Sequence, residues 1–231
     1  MRLSRMGRQN SQHKGQSFVE LALILPLILI LLIGMIEVGF YVFNYLTALD
    51  LTREAARFAS VRDFTLATPG SATPADCVDE GLDYYKDTAC FFIDSELNPN
   101  LPLDPNKFDD VTVSVFTVVS GTVATISDRW PHPPIDPDGD GVWSQYNNNW
   151  QKDCQGNVVR SEPYFTNSDV ESLFLNSAPK AKGLVLVEAY FCYDQLIYIP
   201  LISDFIGSPF RIHTYTFMPA PEAIPTPTPI P

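Results

Sequence analysis

The chain has 231 residues, of which 45% are hydrophobic, and a formal net charge of −12 at pH 7. This length suits one medium-sized domain with an additional segment. Four of the 15 basic residues and none of the acidic ones lie in residues 1–14. The rest is strongly acidic, which excludes nucleic-acid binding, because that function uses Lys and Arg to neutralise phosphates.

After the basic leader, the chain is almost wholly apolar from Phe18 to Phe43, where only Glu20 and Glu37 are charged. These two glutamates would lie about 25 Å apart along a helix, and a hydrocarbon core is roughly 30 Å thick. Each carboxylate can therefore sit near one interface. The positive-inside rule places the N-terminus in the cytoplasm. Glu37 either serves a function or simply reaches water.

A cleaved secretory signal is the alternative interpretation of this segment. A signal has an apolar region of about 7–15 residues followed by a small-residue cleavage site. Here the apolar run continues into Gly39-Phe40-Tyr41-Val42-Phe43. The pattern therefore favours a membrane span over a signal.

Residues 44–62 contain no Gly or Pro and predict that the helix continues past the membrane. A stripe of small and medium side chains lies along this stretch, and it consists of Leu49, Thr52, Ala56 and Ala59. The stripe either packs against another helix or packs on the chain's own outer domain. Thr68-Pro69-Gly70 is expected to end the helix.

The junction before the span reads Lys14-Gly15-Gln16-Ser17-Phe18-Val19-Glu20. A glycine after a basic leader, with a glutamate five residues later, resembles the prepilin peptidase site of type IV pilins. The wider sequence over about residues 15–60 resembles the TadE-like family, the minor pilins or pseudopilins of the tight-adherence (Flp-type) pilus. The matching elements are Gly15-Gln16, Val19-Glu20, Leu25-Pro26, Ile36-Glu37-Val38-Gly39 and Arg53-Glu54-Ala55-Ala56-Arg57-Phe58-Ala59.

This resemblance implies cleavage by a prepilin peptidase after Gly15, so that Gln16 becomes the first mature residue and Glu20 the fifth. It further implies that Glu20 contacts a neighbouring pilus subunit, since a carboxylate in an apolar environment needs a partner. The implied partners are the lipid bilayer, other pilus subunits, assembly proteins and the peptidase. The implied location is the bacterial cytoplasmic membrane, with the C-terminal domain outside and a place in a surface pilus.

Three stretches of the outer region predict strands. Val111 to Ile126 alternates and carries Ser120-Gly121 as a hairpin turn, and residues 184–193 and 210–217 are also strand-like. Residues 128–169 are rich in Pro, Asn, Asp and Gly and predict mainly loop. The predicted fold class is therefore α+β: a long N-terminal transmembrane helix, then a small antiparallel sheet domain with long loops and disulfides.

The expected organisation is a leader at 1–15, a helix at 16–63, an outer domain at 64–218 and a Pro-rich tail at 219–231. Four cysteines fall outside the membrane, and an even count in an oxidising compartment predicts two disulfides with three connectivities. The favoured pairing joins Cys77 to Cys90, and Cys154 to Cys192. The chain contains no Cys-x-x-Cys motif, so the sequence does not predict zinc binding or redox chemistry.

Asp136-Pro137-Asp138-Gly139-Asp140-Gly141 matches the start of an EF-hand calcium loop. Asp136, Asp138 and Asp140 would supply carboxylates, and the Val142 carbonyl would follow. Position 12 is Asn147, so the bidentate glutamate is missing. The motif predicts either a structural calcium site, which is completed by another acid such as Asp153 or is weak, or an acidic turn that binds nothing.

The sequence shows no catalytic motif, and His213 is expected to be a partly buried strand residue rather than a catalytic one. Three hypotheses remain. The first is a TadE-like pseudopilin that assists pilus assembly. The second is an unprocessed, membrane-anchored, calcium-binding adhesion or interaction domain. The third is a secreted enzyme. The tail is expected to be extended, as a disordered end, a spacer or a glycosylated segment.

Overall fold

A computed structural model of the chain describes residues 13–65, 77, 83–94, 101–119, 124–173, 183–195 and 209–220. The chain divides into two compact units, Met1–Val42 and Phe43–Pro231. The predicted turns at Ser120-Gly121 and Thr68-Pro69-Gly70, and residues 221–231 of the Pro-rich tail, lie outside the described residues. Pro219 and Ala220, which were predicted to start the tail, belong to the last strand.

Helix α1 spans His13–Ala59 and contains Pro26. Its apolar stretch has a mean hydropathy of 2.9, and none of that stretch is buried. Among the described residues, α1 is the one helix long and apolar enough to cross a membrane. A proline inside such a helix is tolerated in membranes. Residues 13–42 of this helix lie in the first unit.

In its described residues, the second unit combines the end of α1 with two short helices and five strands. Helix α2 spans Tyr84–Asp94 and α3 spans Asn167–Leu173. The strands are β1 (Asp110–Val119), β2 (Thr125–Trp130), β3 (Trp143–Ser144), β4 (Gly183–Tyr193) and β5 (Phe210–Ala220). Two 3₁₀ turns lie at Pro105–Lys107 and Asn149–Gln151. The predicted α+β class is confirmed.

The sheet is antiparallel, with strand order β2-β1-β4-β5, and β3 pairs with β1 beyond the end of β2. Val187 of β4 lies between Val113 of β1 and Thr216 of β5. The β1–β2 pairing carries an irregularity between Thr117 and Val118. β-branched residues dominate β1, whereas β4 is rich in Leu, Val and aromatic residues. Both are central strands and are buried on both faces.

One face of the sheet is covered by helices, and we call it the helix face. Thr52 of α1 places its Oγ1 atom 3.2 Å from Oγ1 of Thr216 on β5. Phe58 of α1 stacks on Phe91 of α2, with ring centroids 4.7 Å apart. Thr52, Ala56 and Ala59 are completely buried. The stripe on α1 therefore packs on the chain's own sheet domain.

The opposite face, which we call the loop face, is covered by the segment between β2 and β4. Its apolar cluster joins strands β1 and β4 to Phe165 and to Val170 of α3, and consists of Phe116, Val118, Ala124, Phe165, Val170, Leu184 and Leu186. Because alternate residues of a strand point to opposite faces, polar residues at every second position of β1 and β4 lie on this same face of the sheet.

The end of α1 differs from the expectation. The predicted helix runs to residue 62 or 63, whereas α1 ends at Ala59. The chain turns there because Arg62 pairs with Asp87 of α2 at 2.8 Å, and Phe64 packs against Trp130, with ring centroids 5.5 Å apart. These contacts bring the segment after the helix back onto the domain.

Candidate functional site

The junction residues that the sequence singles out all lie in α1. Gly15, Gln16 and Glu20 are within the helix, and the side chain of Glu20 is exposed. The helix therefore presents Glu20 among apolar residues such as Leu21 and Leu23, which are 58% and 73% exposed. An acidic side chain in such a setting is a functional candidate by default.

The two disulfides have the favoured pairing, Cys77–Cys90 and Cys154–Cys192. The first is attached to α2. The second ties the long segment of the loop face to β4, since Cys192 lies in that strand. No free cysteine is present in the part of the chain that the structure describes.

The acidic turn at residues 136–141 is closed by hydrogen bonds from backbone N–H groups to its own carboxylates. The Asp136 carboxylate accepts hydrogen bonds from the backbone N–H groups of Asp138 at 3.1 Å and Gly141 at 2.7 Å. Asp140 accepts one from the N–H of Val142 at 2.9 Å. Gly141 has a φ of +72°, and a Cβ there would meet Cγ of Arg129 at 2.5 Å. Glycine is therefore required at this position.

The three carboxylates of the turn do not line one space. Asp136 and Asp138 border a cavity of about 390 Å³ beside Trp143 and Ser144. Asp140 borders a different cavity, of about 460 Å³, between β2 and the loop face. Among the described residues, no group of three or more His, Cys, Asp or Glu side chains is placed to hold a metal ion. Calcium binding here stays a prediction.

Burial raises the pKa of Asp140 to about 6, and the neighbouring Asp136 charge adds to the effect. Both desolvation and a nearby like charge disfavour the ionised form. A cation near Asp140 would relieve both effects. The electrostatics of the turn thus favour positive charge even though its carboxylates do not converge.

Two adjacent aspartates at the start of β1, Asp109 and Asp110, organise the long segment, and no sequence pattern indicated this role. Asp110 is completely buried and accepts hydrogen bonds from the Ser144 hydroxyl and from the backbone N–H groups of Tyr146 and Trp150. Asp109 accepts from the N–H groups of Asp104 and Cys192. Burial raises the pKa of Asp110 to about 6.

Two arginines complete this arrangement, of which Arg129 is buried and Arg211 is half-buried. Arg129 donates to the carbonyl oxygens of Gly141 and Phe165 and to the Ser114 hydroxyl. Arg211 donates to the carbonyl oxygens of Lys152, Phe108 and Asn149. Both guanidinium groups therefore hold backbone carbonyl oxygens in place. A long segment with little regular structure is pinned by charged side chains of the sheet.

A second polar cluster crosses β4 and β5 on the loop face. Glu188 is 1% exposed, and its Oε1 atom accepts a hydrogen bond from the Tyr190 hydroxyl at 2.8 Å. Nε2 of His213 lies 2.8 Å from the same oxygen. The rings of Tyr190 and His213 stack with centroids 4.5 Å apart. His213 is thus a partly buried strand residue held by a carboxylate.

Comparison with known proteins gives one match. The family model described as TadE-like protein matches residues 15–57. No curated protein and no solved structure matches the chain. The family match confirms the TadE-like resemblance over residues 15–57, which lie within α1, and it does not cover the sheet domain.

Proposed function

We propose that this chain is a TadE-like pseudopilin or minor pilin, anchored in the membrane by α1, that contributes to assembly of a tight-adherence type IV pilus. The observation that carries the proposal is the coincidence of the family match at 15–57 with the one described helix suited to a membrane. The TadE-like family is not an enzyme family, so the mechanism is assembly rather than catalysis.

The proposed orientation follows from charge. Four basic residues precede the span, and the sequence after it is strongly acidic. Basic segments stay on the cytoplasmic side. The sheet domain is then outside, in a compartment where the two disulfides are stable.

The proposed processing site is the Gly15–Gln16 bond, cut by a prepilin peptidase. Cleavage would place a new amino group at Gln16, four residues before Glu20. In an apolar packing environment this amine of one subunit can pair with the Glu20 carboxylate of another. That ion pair would fix the axial offset between neighbouring helices.

The intact mass of the protein, purified from native membranes without reductant, tests the proposal. We expect a chain that begins at Gln16 and contains two disulfides. Gly15→Leu should retain residues 1–15, whereas the matched leader variant Gly7→Leu should be processed normally. A native chain that retains residues 1–15 would contradict processing and favour an unprocessed anchored interaction domain. A chain that begins after the apolar run would contradict the anchor itself.

A further inference from the structure

We draw no further inference here: the strongest candidate, the patch of half-exposed rings that Tyr164 and Tyr215 form around His213 on the loop face, points to no partner, because nothing in the part of the chain that the structure describes shows what covers it.

Discussion

Asp110 is completely buried at the start of β1, and its carboxylate accepts a hydrogen bond from the backbone N–H of Trp150 at 2.9 Å. The same carboxylate accepts from the Ser144 hydroxyl at 2.7 Å and from the N–H of Tyr146 at 3.0 Å. One side chain therefore fixes the backbone from β3 to the second 3₁₀ turn.

Replacing Asp110 by Asn should loosen this segment. The amide group has one acceptor oxygen, so its nitrogen would face a backbone donor and leave a buried N–H unsatisfied. We expect a loss of about 1–3 kcal/mol in the free energy of unfolding. Denaturant unfolding of the full chain in detergent measures it. The exposed helix variant Asp50→Asn is the control and should stay within about 0.5 kcal/mol of wild type.

The pH dependence of the free energy of unfolding should also depend on Asp110. The pKa of Asp110 in the folded chain is about 6, above the value of 3.8 for an unperturbed aspartate. The folded state therefore binds this proton more tightly. The contribution of Asp110 to the free energy of unfolding is fully present below pH 3.8 and is lost as the pH rises to about 6. Asp110→Asn should flatten the fall in stability across that window, and a slope equal to that of wild type would contradict the assignment.

Removal of the two disulfides should have unequal effects. Cys154–Cys192 closes a loop of sequence separation 38, and Cys77–Cys90 one of 13. Because loop-closure entropy grows with length, the double variant Cys154→Ser/Cys192→Ser should lose about 1 kcal/mol more stability than Cys77→Ser/Cys90→Ser. Thermal unfolding of both variants compares them. Equal losses would indicate that strain or residual structure outweighs chain entropy.

The Glu188 cluster should be sensitive to loss of its acceptor. Glu188→Leu leaves the Tyr190 hydroxyl and Nε2 of His213 without the oxygen that both contact, and we expect a loss of about 2–4 kcal/mol. Glu188→Gln keeps an oxygen at that position and should cost less. Chemical unfolding measures both, with the exposed loop variant Glu162→Gln as control. A loss from Glu188→Gln as large as that from Glu188→Leu would show that charge, rather than hydrogen bonding, matters.

Calcium binding by the acidic turn has a direct test. If the turn takes calcium as a weak structural site, titration calorimetry of the full chain should give a dissociation constant of about 0.1–1 mM. Asp140→Asn should abolish the heat, because it removes a charge and keeps an oxygen for the Val142 N–H. Asp153→Asn, in a separate turn, is the control. Absence of binding heat at about 10 mM calcium would leave the turn as a purely self-bonded structure.

Much of the fold was predictable from residue patterns. The alternating residues 184–193 and 210–217 correspond to β4 and β5, and the even cysteine count gave two bridges. These features depend on local periodicity and on chemistry that sequence displays directly. The second strand of the hairpin was predicted to end at Ile126 but extends to Trp130, where Arg129 continues the ladder opposite Phe116.

The rest depends on contacts between distant residues. Residues 128–169 read mainly as loop, and the segment contains the end of β2, β3, a 3₁₀ turn and α3. This segment is held by three charged residues of the strands, Asp110, Arg129 and Arg211. In the sequence, nothing distinguishes them from other charged residues. Helix α2 also went unpredicted; its eleven residues are held in the structure by packing and a disulfide.

The last turns of α1 have a practical consequence for anyone who wishes to study the sheet domain apart from the apolar part of the helix. Ala48, Leu51, Ala55 and Ala59 are completely buried, so this part of the helix belongs to the hydrophobic core of the second unit. A fragment that starts at residue 60 would lose those side chains and uncover apolar surface, whereas one that starts at Phe43 keeps them. Expression trials of the two fragments should therefore differ in yield of soluble, monodisperse material, in favour of the longer one.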